Sequence, residues 1–274
     1  MAKKKTRGGR STALVQLHPQ PLNGTEVAKI AAAVGSTEAL EKMPGSGGEF
    51  VVQDGVARVT GRDYATTDAV VPAAEIYFDG ESRPRYDGPW LGEADKVAWV
   101  DPDTGLECIM MRDRADGFLS GYVGVPDSHP LFGWNHRAIP AELGIEVHGG
   151  LTFSHICDDG PSPDTPLIME ARRICHVGRG GASVTHATDH RVEEGQWWFG
   201  FDCNHIYDAV PGDYGSRRRF MGPEIAAEYR DDGYVVREIR NLAAQLAAIR
   251  DGRQVPARMG PPLPPISLDP GAAR

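Results

Sequence analysis

Histidine and cysteine, the residue types best suited to proton transfer and metal binding near neutral pH, are concentrated in one window of the sequence. Eight of the nine histidines lie between His129 and His205, and three of the four cysteines lie between Cys157 and Cys203. A random arrangement would spread these residues over all 274 positions. We therefore look for a catalytic, ligand-binding or metal site in this window.

The segment 145–153 alternates apolar and polar residues, and this alternation predicts a β-strand. Its apolar face holds Ile145, Val147, Leu151 and Phe153. Its polar face places an imidazole, His148, between an acid and a hydroxyl, so we predict that His148 is catalytic. Neighbouring glycines remove bulk, as at sites where a ligand approaches the backbone. The ligand-binding candidates here are Glu146, Gly149, Gly150 and Thr152. The alternative is that this face is only the solvated side of an antiparallel strand.

The segment 196–201 predicts a further strand, which ends at Asp202 and is followed closely by His205. A carboxylate beside an imidazole suits a general base, because it fixes the ring's tautomer and raises its basicity. We therefore predict a catalytic set of His148, Asp202 and His205, in which Asp202 orients one of the rings. The ligand-binding candidates near this strand end are Trp198 and Asp208. The alternative is that Asp202 caps a turn and His205 is an ordinary surface residue.

Two further residues are candidates for lining the same pocket. Tyr122 lies in a predicted strand over 118–125, and His129 follows where that strand gives way to a loop. Either side chain would equally well satisfy a hydrogen bond in the core.

A metal site is a competing interpretation of the same window. Three His/Cys pairs, His155 with Cys157, Cys175 with His176, and Cys203 with His205, offer ligands that zinc accepts. Their spacing matches no standard zinc knuckle, so the sequence assigns no metal ligands and leaves zinc open. The weak candidates are Cys175, His176 and Cys203. The alternative is buried free cysteines with packing roles, especially Cys108 and Cys157.

Periodicity predicts the elements that must position these residues. Phe50–Val52 and Val56–Val59 form a predicted hairpin around Asp54-Gly55, and further strands follow at 97–100 and 106–111. The clearest helix covers 234–250, with an apolar stripe at Val235, Val236, Ile239, Leu242, Ala243, Leu246 and Ile249. The sequence therefore predicts an α+β fold, a mainly antiparallel sheet with this C-terminal amphipathic helix packed on one face.

Composition divides the chain into four regions. We expect a disordered basic arm over 1–24, a small N-terminal appendage over 25–95, the main α+β domain over 96–252, and a disordered Pro-rich tail over 253–274. The appendage includes a short helix predicted between Glu26 and Met43, broken near Gly35.

Charge and hydropathy exclude several classes of protein. Five basic residues lie in the first ten positions, which leaves 24 basic against 38 acidic residues in the body. A body that acidic repels a phosphate backbone, so nucleic acid is an unlikely partner for the folded part. No stretch approaches the roughly 20 apolar residues that cross a bilayer, and the N-terminus has no apolar signal region, so we expect no membrane partner. Four cysteines favour a reduced, cytoplasmic setting.

Three motifs resemble an uncharacterised protein family found in bacteriophages and actinobacterial genomes. They are Gly121-Tyr122-Val123-Gly124-Val125-Pro126 with His129-Pro130, Val147-His148-Gly149-Gly150-Leu151-Thr152, and Trp197-Trp198-Phe199-Gly200-Phe201-Asp202-Cys203-Asn204-His205. The resemblance covers roughly residues 96–250 and includes the final helix. It implies a phage-type setting, hence the host-cell cytoplasm, and adds weight to His148, Asp202 and His205. The family has no assigned reaction, so the resemblance supplies no mechanism.

The leading functional hypothesis is a small-molecule hydrolase, phosphodiesterase-like, in which a His/Asp-lined pocket activates water against a phosphorylated or nucleotide-derived ligand. The run Arg217–Arg219 would attract such a ligand if it borders the pocket. A counter-defence role follows by analogy with host signals of that chemistry. The alternatives are a protein that sequesters the ligand without turnover, and a virion structural or assembly protein. The sequence leaves the oligomeric state open.

Overall fold

The fold is described from a computed structural model of the chain. The structure describes residues 20–34, 48–84, 86–157, 166–175, 195–213 and 227–264. Most of the basic arm, the Arg217–Arg219 run, His176 and the end of the Pro-rich tail lie outside the described residues.

Eight strands form one antiparallel sheet. The strands are β1 Glu49–Gln53, β2 Val56–Thr60, β5 Ala73–Asp79, β6 Lys96–Val100, β7 Glu107–Arg112, β8 Leu119–Val125, β9 Phe153–Ile156 and β10 Trp197–Asp202. Their order across the sheet is β1-β2-β5-β6-β7-β8-β10-β9. Two short strands, β3 Tyr64–Ala65 and β4 Val70–Val71, pair separately. The described helices are α1 Gly24–Ala33, α2 Leu167–Arg172 and α3 Asp232–Arg250, with short 3₁₀ turns at Pro89–Gly92, His136–Ala138, Ala141–Leu143 and Pro211–Asp213. The predicted α+β class is confirmed.

The hairpin β1–β2 forms where the sequence places Asp54-Gly55. Gln53 pairs with Val56 across a two-residue loop, and Asp54 and Gly55 have φ values of 50° and 78°. Left-handed conformations at both loop residues match the right-handed twist of the flanking strands, which is why Asp-Gly is favoured there.

Helix α3 covers one face of the sheet. Its first turn is capped by Asp231, whose side chain accepts a hydrogen bond from the backbone N–H of Tyr234. Val235, Ile239, Leu242 and Leu246 are fully buried and form the core with β7 and β8. Burying each of these side chains contributes about 1.5–3 kcal/mol, so the helix is fixed firmly over the middle of the sheet. Helix α2 lies against β2 and β5.

The segment 145–152 is not the strand that its alternation predicts. It runs through turns, and β9 begins only at Phe153. The reason is conformational, since Gly149 and Gly150 both adopt positive φ values, 66° and 81°, which end any extended segment. The polar residues of this segment therefore do not share a strand face.

The sheet continues across residue 95, where the sequence suggests a boundary. Strand β5 of the expected appendage pairs with β6 of the expected main domain, and Val27 and Ile30 of α1 belong to the same core as α3.

Part of the expected tail lies along α3. The Arg258 guanidinium pairs with Glu238, and the backbone N–H of Met259 donates to Asn241 at 3.0 Å. No helix among the described residues is long and apolar enough to cross a bilayer.

Candidate functional site

Two imidazoles and one carboxylate converge at the end of β10. His148 Nε2 lies 2.8 Å from Asp208 Oδ2. His205 Nδ1 lies 3.3 Å from both His148 Nε2 and Asp208 Oδ2. We call these three residues the His-His-Asp cluster. Segments more than 50 residues apart in sequence thus bring three reactive atoms into mutual contact.

Asp208 organises the cluster. Its Oδ2 also accepts the backbone N–H of His205 at 2.9 Å, and its Oδ1 accepts Nε of Arg230 at 2.9 Å. Burial alone would raise the pKa of Asp208, but hydrogen bonds from His148 and His205, followed by that from Arg230, hold the pKa well below its ordinary value. The side chain is completely buried, and because these hydrogen bonds lower its pKa it carries a negative charge beside both rings.

Helix α3 holds His148 from the other side. Tyr234 and Glu238 lie one turn apart on the helix and share one face. The Tyr234 hydroxyl lies 2.8 Å from His148 Nδ1, and Glu238 Oε2 accepts the backbone N–H of His148 at 3.2 Å. With Asp208 on Nε2 and Tyr234 on Nδ1, both nitrogens of this fully buried ring are engaged. His148 is therefore held in one orientation.

Gly149 makes room for His205. A Cβ at Gly149 would lie 1.9 Å from Cε1 of the His205 ring and 2.2 Å from its Nε2. Only glycine permits this approach. The His205 side chain is 16% exposed, whereas those of His148 and Asp208 are 0% exposed. His205 Nε2 has no hydrogen-bond partner among the described residues, so His205 is the ring of the cluster that solvent or a ligand can contact.

Asp202 does not join the cluster, although the sequence prediction gave it the orienting role. Successive side chains of β10 point to opposite faces, and Phe201 lies on the α3 side. Asp202 faces the other way, where it accepts hydrogen bonds from Ser120 and Thr152, both at 2.8 Å. Asp208 takes the position beside the rings instead, because the turn after Cys203 returns the chain to the α3 side.

Asp202 borders a cavity of about 390 Å³ on the face opposite α3. Among its lining residues are two of the ligand-binding candidates, Tyr122 and Thr152, together with Ser120, Arg112, Arg114 and Arg172. Burial raises the pKa of Tyr122, so its phenol stays protonated. The structure thus divides the predicted site residues between the His-His-Asp cluster and this cavity.

Other predicted site residues have structural roles. His129 is buried, with Nε2 2.9 Å from the Leu246 carbonyl and Nδ1 accepting the N–H of Leu131. Trp198 packs in the apolar layer beneath Tyr122. Glu146 is exposed, and its backbone bonds to Gln245. Gly150 lies in the turn after Gly149, with open space around its Cβ position.

The structure does not bring the weak metal-ligand candidates Cys175 and Cys203 together as a site. Cys157 and Cys175 are joined by a disulfide, with Cα atoms 5.1 Å apart, so Cys157 is not the free buried cysteine that the sequence favoured. Cys203 is buried, and burial raises the pKa of its thiol, which disfavours the thiolate that a metal needs. His176 lies outside the described residues. Cys108 is free and buried, as expected.

A metal ion has a different possible set of ligands. His148, His205 and Asp208 each offer one ligand atom, and these atoms lie within 4.8 Å of one another. Sequence reasoning identified both histidines but gave Asp208 only a ligand-binding role, and it missed Arg230 and Tyr234. The only signal for these two was their place at the start of the last helix, which does not reveal what that end of the helix contacts.

Comparisons with protein-family models, with curated proteins and with solved structures find no match to this chain.

Proposed function

We propose that the protein is a small-molecule hydrolase that acts on a phosphorylated or nucleotide-derived ligand and activates water at the His-His-Asp cluster. The observation that carries the proposal is the position of His205. Its ring is partly exposed and contacts both a buried carboxylate and a second imidazole, which is the arrangement of a general base with an orienting acid.

The hydrogen bonds support one distribution of protons. Asp208 Oδ2 accepts from His148 Nε2–H and His205 Nδ1–H, while the Tyr234 hydroxyl donates to His148 Nδ1. This leaves the lone pair of His205 on Nε2. Water attacking a phosphorus or carbonyl centre gives its proton to this nitrogen, the bond to the leaving oxygen breaks, and that oxygen takes the proton from the imidazolium. Asp208 stabilises the imidazolium while it exists.

The cavity is the proposed place for the rest of the ligand. Asp202 and His205 are three positions apart in the chain, as are Gly149 and Thr152, and three residues span at most about 11 Å. The cluster lies on the α3 side of the sheet and the cavity on the other, so a nucleotide-sized ligand that contacts both must pass around the end of β10. Arg114 and Arg172 at the cavity both pair with one exposed carboxylate, Glu81. Arg172 is also held by two hydrogen bonds to the buried Asp79, so its position is fixed. The Arg114 guanidinium, which pairs with the solvent-exposed Glu81, can turn to a phosphate at little cost.

A panel of cyclic and linear nucleotides and bis(p-nitrophenyl) phosphate, analysed by chromatography, tests the proposal. We expect at least one member to be hydrolysed, and we expect His205→Gln to lower kcat by about 10²–10⁴-fold, the usual contribution of a general base. His136→Ala is the matched control, because His136 is also a half-buried histidine and its ring bonds to Ser154. Full turnover by His205→Gln would contradict the proposal.

A second function, ligand sequestration without turnover, is favoured by the complete burial of His148 and Asp208. Fully bonded polar groups of this kind rigidify a site and need not react. If a panel member binds tightly and is recovered unhydrolysed, the result supports sequestration. Either activity on a nucleotide signal is consistent with a counter-defence role in a host cytoplasm, which the phage-type motifs suggest by analogy.

A further inference from the structure

We propose that the His-His-Asp cluster is a binding site for one divalent first-row transition metal ion, ligated by His148 Nε2, His205 Nδ1 and Asp208 Oδ2. The inference rests on geometry and does not depend on the hydrolase proposal. The three atoms form a triangle with edges of 2.8, 3.3 and 3.3 Å. Ligands about 2.0–2.1 Å from one ion are separated by about 2.8–3.4 Å at angles of 90–109°, so the triangle has the size that an ion requires.

The donor set selects the class of ion. Imidazole nitrogen suits Zn²⁺, Fe²⁺, Co²⁺ and Ni²⁺, whereas Mg²⁺ and Ca²⁺ prefer all-oxygen sites. Two imidazoles and a carboxylate together match mononuclear zinc and non-haem iron centres, in which three protein ligands leave positions for water or substrate.

The groups around the three ligands have the positions that ligand orientation requires. Tyr234 contacts the far nitrogen of His148, and Arg230 holds the far oxygen of Asp208. Such partners fix the ring tautomer and the carboxylate rotamer, and losing one typically costs about 10–100-fold in metal affinity. Gly149 completes the arrangement by letting the His205 ring approach closely.

Access to the ion is from the side of His205. The side chains of His148 and Asp208 are 0% exposed and that of His205 is 16% exposed, so solvent or a ligand would reach an ion held here from the His205 side. Metal binding takes the lone pair of His205 Nδ1 and puts its proton on Nε2. An ion held by these three atoms would supply Lewis-acid activation of water beside the His205 ring.

Cobalt titration of the full chain tests the site. The protein is stripped with EDTA, desalted and titrated with Co²⁺ while its visible spectrum is recorded, and Zn²⁺ is then added in competition. We expect one Co²⁺ per chain with ligand-field bands in the visible range, and their loss when Zn²⁺ displaces Co²⁺. His205→Ala should weaken Co²⁺ binding at least 100-fold, and Tyr234→Phe about 10–100-fold.

His136→Ala is the control and should bind Co²⁺ as the wild type does. His205 is partly exposed, so His205→Ala should fold, and circular dichroism verifies this. Absence of binding by the wild type, or wild-type affinity in folded His205→Ala, would overturn the metal site. The two proposals fail separately. Metal binding without turnover of the panel would contradict only the hydrolase proposal. Turnover by a chain that binds no metal would contradict only the metal-site proposal.

Discussion

Asp208 links the cluster together, since its one carboxylate faces two imidazoles, a backbone N–H and a guanidinium. Removing any one of these partners leaves the buried carboxylate with an unsatisfied hydrogen bond. The residues around the cluster therefore fix the positions of the two imidazoles relative to each other and to Asp208.

Gly149 gives a residue-scale prediction. Gly149→Ala should displace the His205 ring, because the new methyl group would overlap it at 1.9 Å. We expect a loss of about tenfold or more in both Co²⁺ affinity and any turnover, since small displacements in such sites are costly. Gly150→Ala is the matched control. Gly150 also has positive φ, but its Cβ position is open, so it carries the backbone strain without the overlap.

If both alanine variants lose about 1–2 kcal/mol of stability, that loss is the cost of a left-handed alanine. The difference between them then isolates the contact with His205. Equal Co²⁺ affinity in the two variants would show that Gly149 is not needed to position the ring.

At the scale of elements, the first turn of α3 connects the cluster to a second buried network. Tyr234 reaches His148, while Asp232, two residues earlier, accepts the Tyr64 hydroxyl at 2.7 Å. The backbone N–H of Asp232 donates to Glu93, and Glu93 pairs with the fully buried Arg112. The start of the helix is thus held by charged groups on both sides.

Asp232 makes this junction sensitive to pH. Burial, followed by repulsion from Glu93, raises the pKa of Asp232 from 3.8 to about 7, and Asp231 adds to the shift. Between these values the unfolded chain binds fewer protons than the folded chain, so the free energy of unfolding falls as pH rises from about 4 to about 7. We expect this group to account for a loss of about 2–4 kcal/mol over that range.

Urea denaturation at several pH values measures the effect. Asp232→Asn should remove this component of the pH dependence and should be more stable than the wild type at pH 8. Asp231→Asn is the control, because asparagine caps a helix as well as aspartate. It should leave most of the dependence in place, since Asp231 contributes less to the shift than burial and Glu93 do. If the pH dependence of the free energy of unfolding is unchanged in Asp232→Asn, ionisation of the Asp232 carboxyl does not destabilise the folded state.

At the scale of the whole molecule, the eight-stranded sheet separates two polar regions. The His-His-Asp cluster lies on the α3 side, and the cavity bordered by Asp202 lies on the other. The segment 148–152 connects them, because His148 belongs to the cluster and Thr152 bonds to Asp202. The Cys157–Cys175 disulfide joins the end of β9 to the segment after α2 on the cavity side.

Local patterns were enough to predict the α+β class, the β1–β2 hairpin and the buried stripe of α3. They were not enough for the segment 145–152, where alternation suggested a strand but two successive glycines adopt turn conformations. The same limit applies to the carboxylate. Asp202 and Asp208 are both close to His205 in sequence, and only the alternation of β10 and the turn after it decide which of them faces the rings. The pairing of Cys157 with Cys175 depends on where α2 lies, which spacing does not reveal.

The most direct measurement is the steady-state rate of Asp208→Asn and Asp202→Asn on whichever panel member the wild type hydrolyses, normalised to the folded fraction. We predict that Asp208→Asn loses about 10³–10⁴-fold in kcat, as expected when a carboxylate that orients a catalytic imidazole becomes an amide. Asp202→Asn should keep kcat within about threefold and change mainly KM, because its carboxylate borders the cavity and not the rings. A kcat that survives in Asp208→Asn and collapses in Asp202→Asn would place the chemistry on the other face of the sheet.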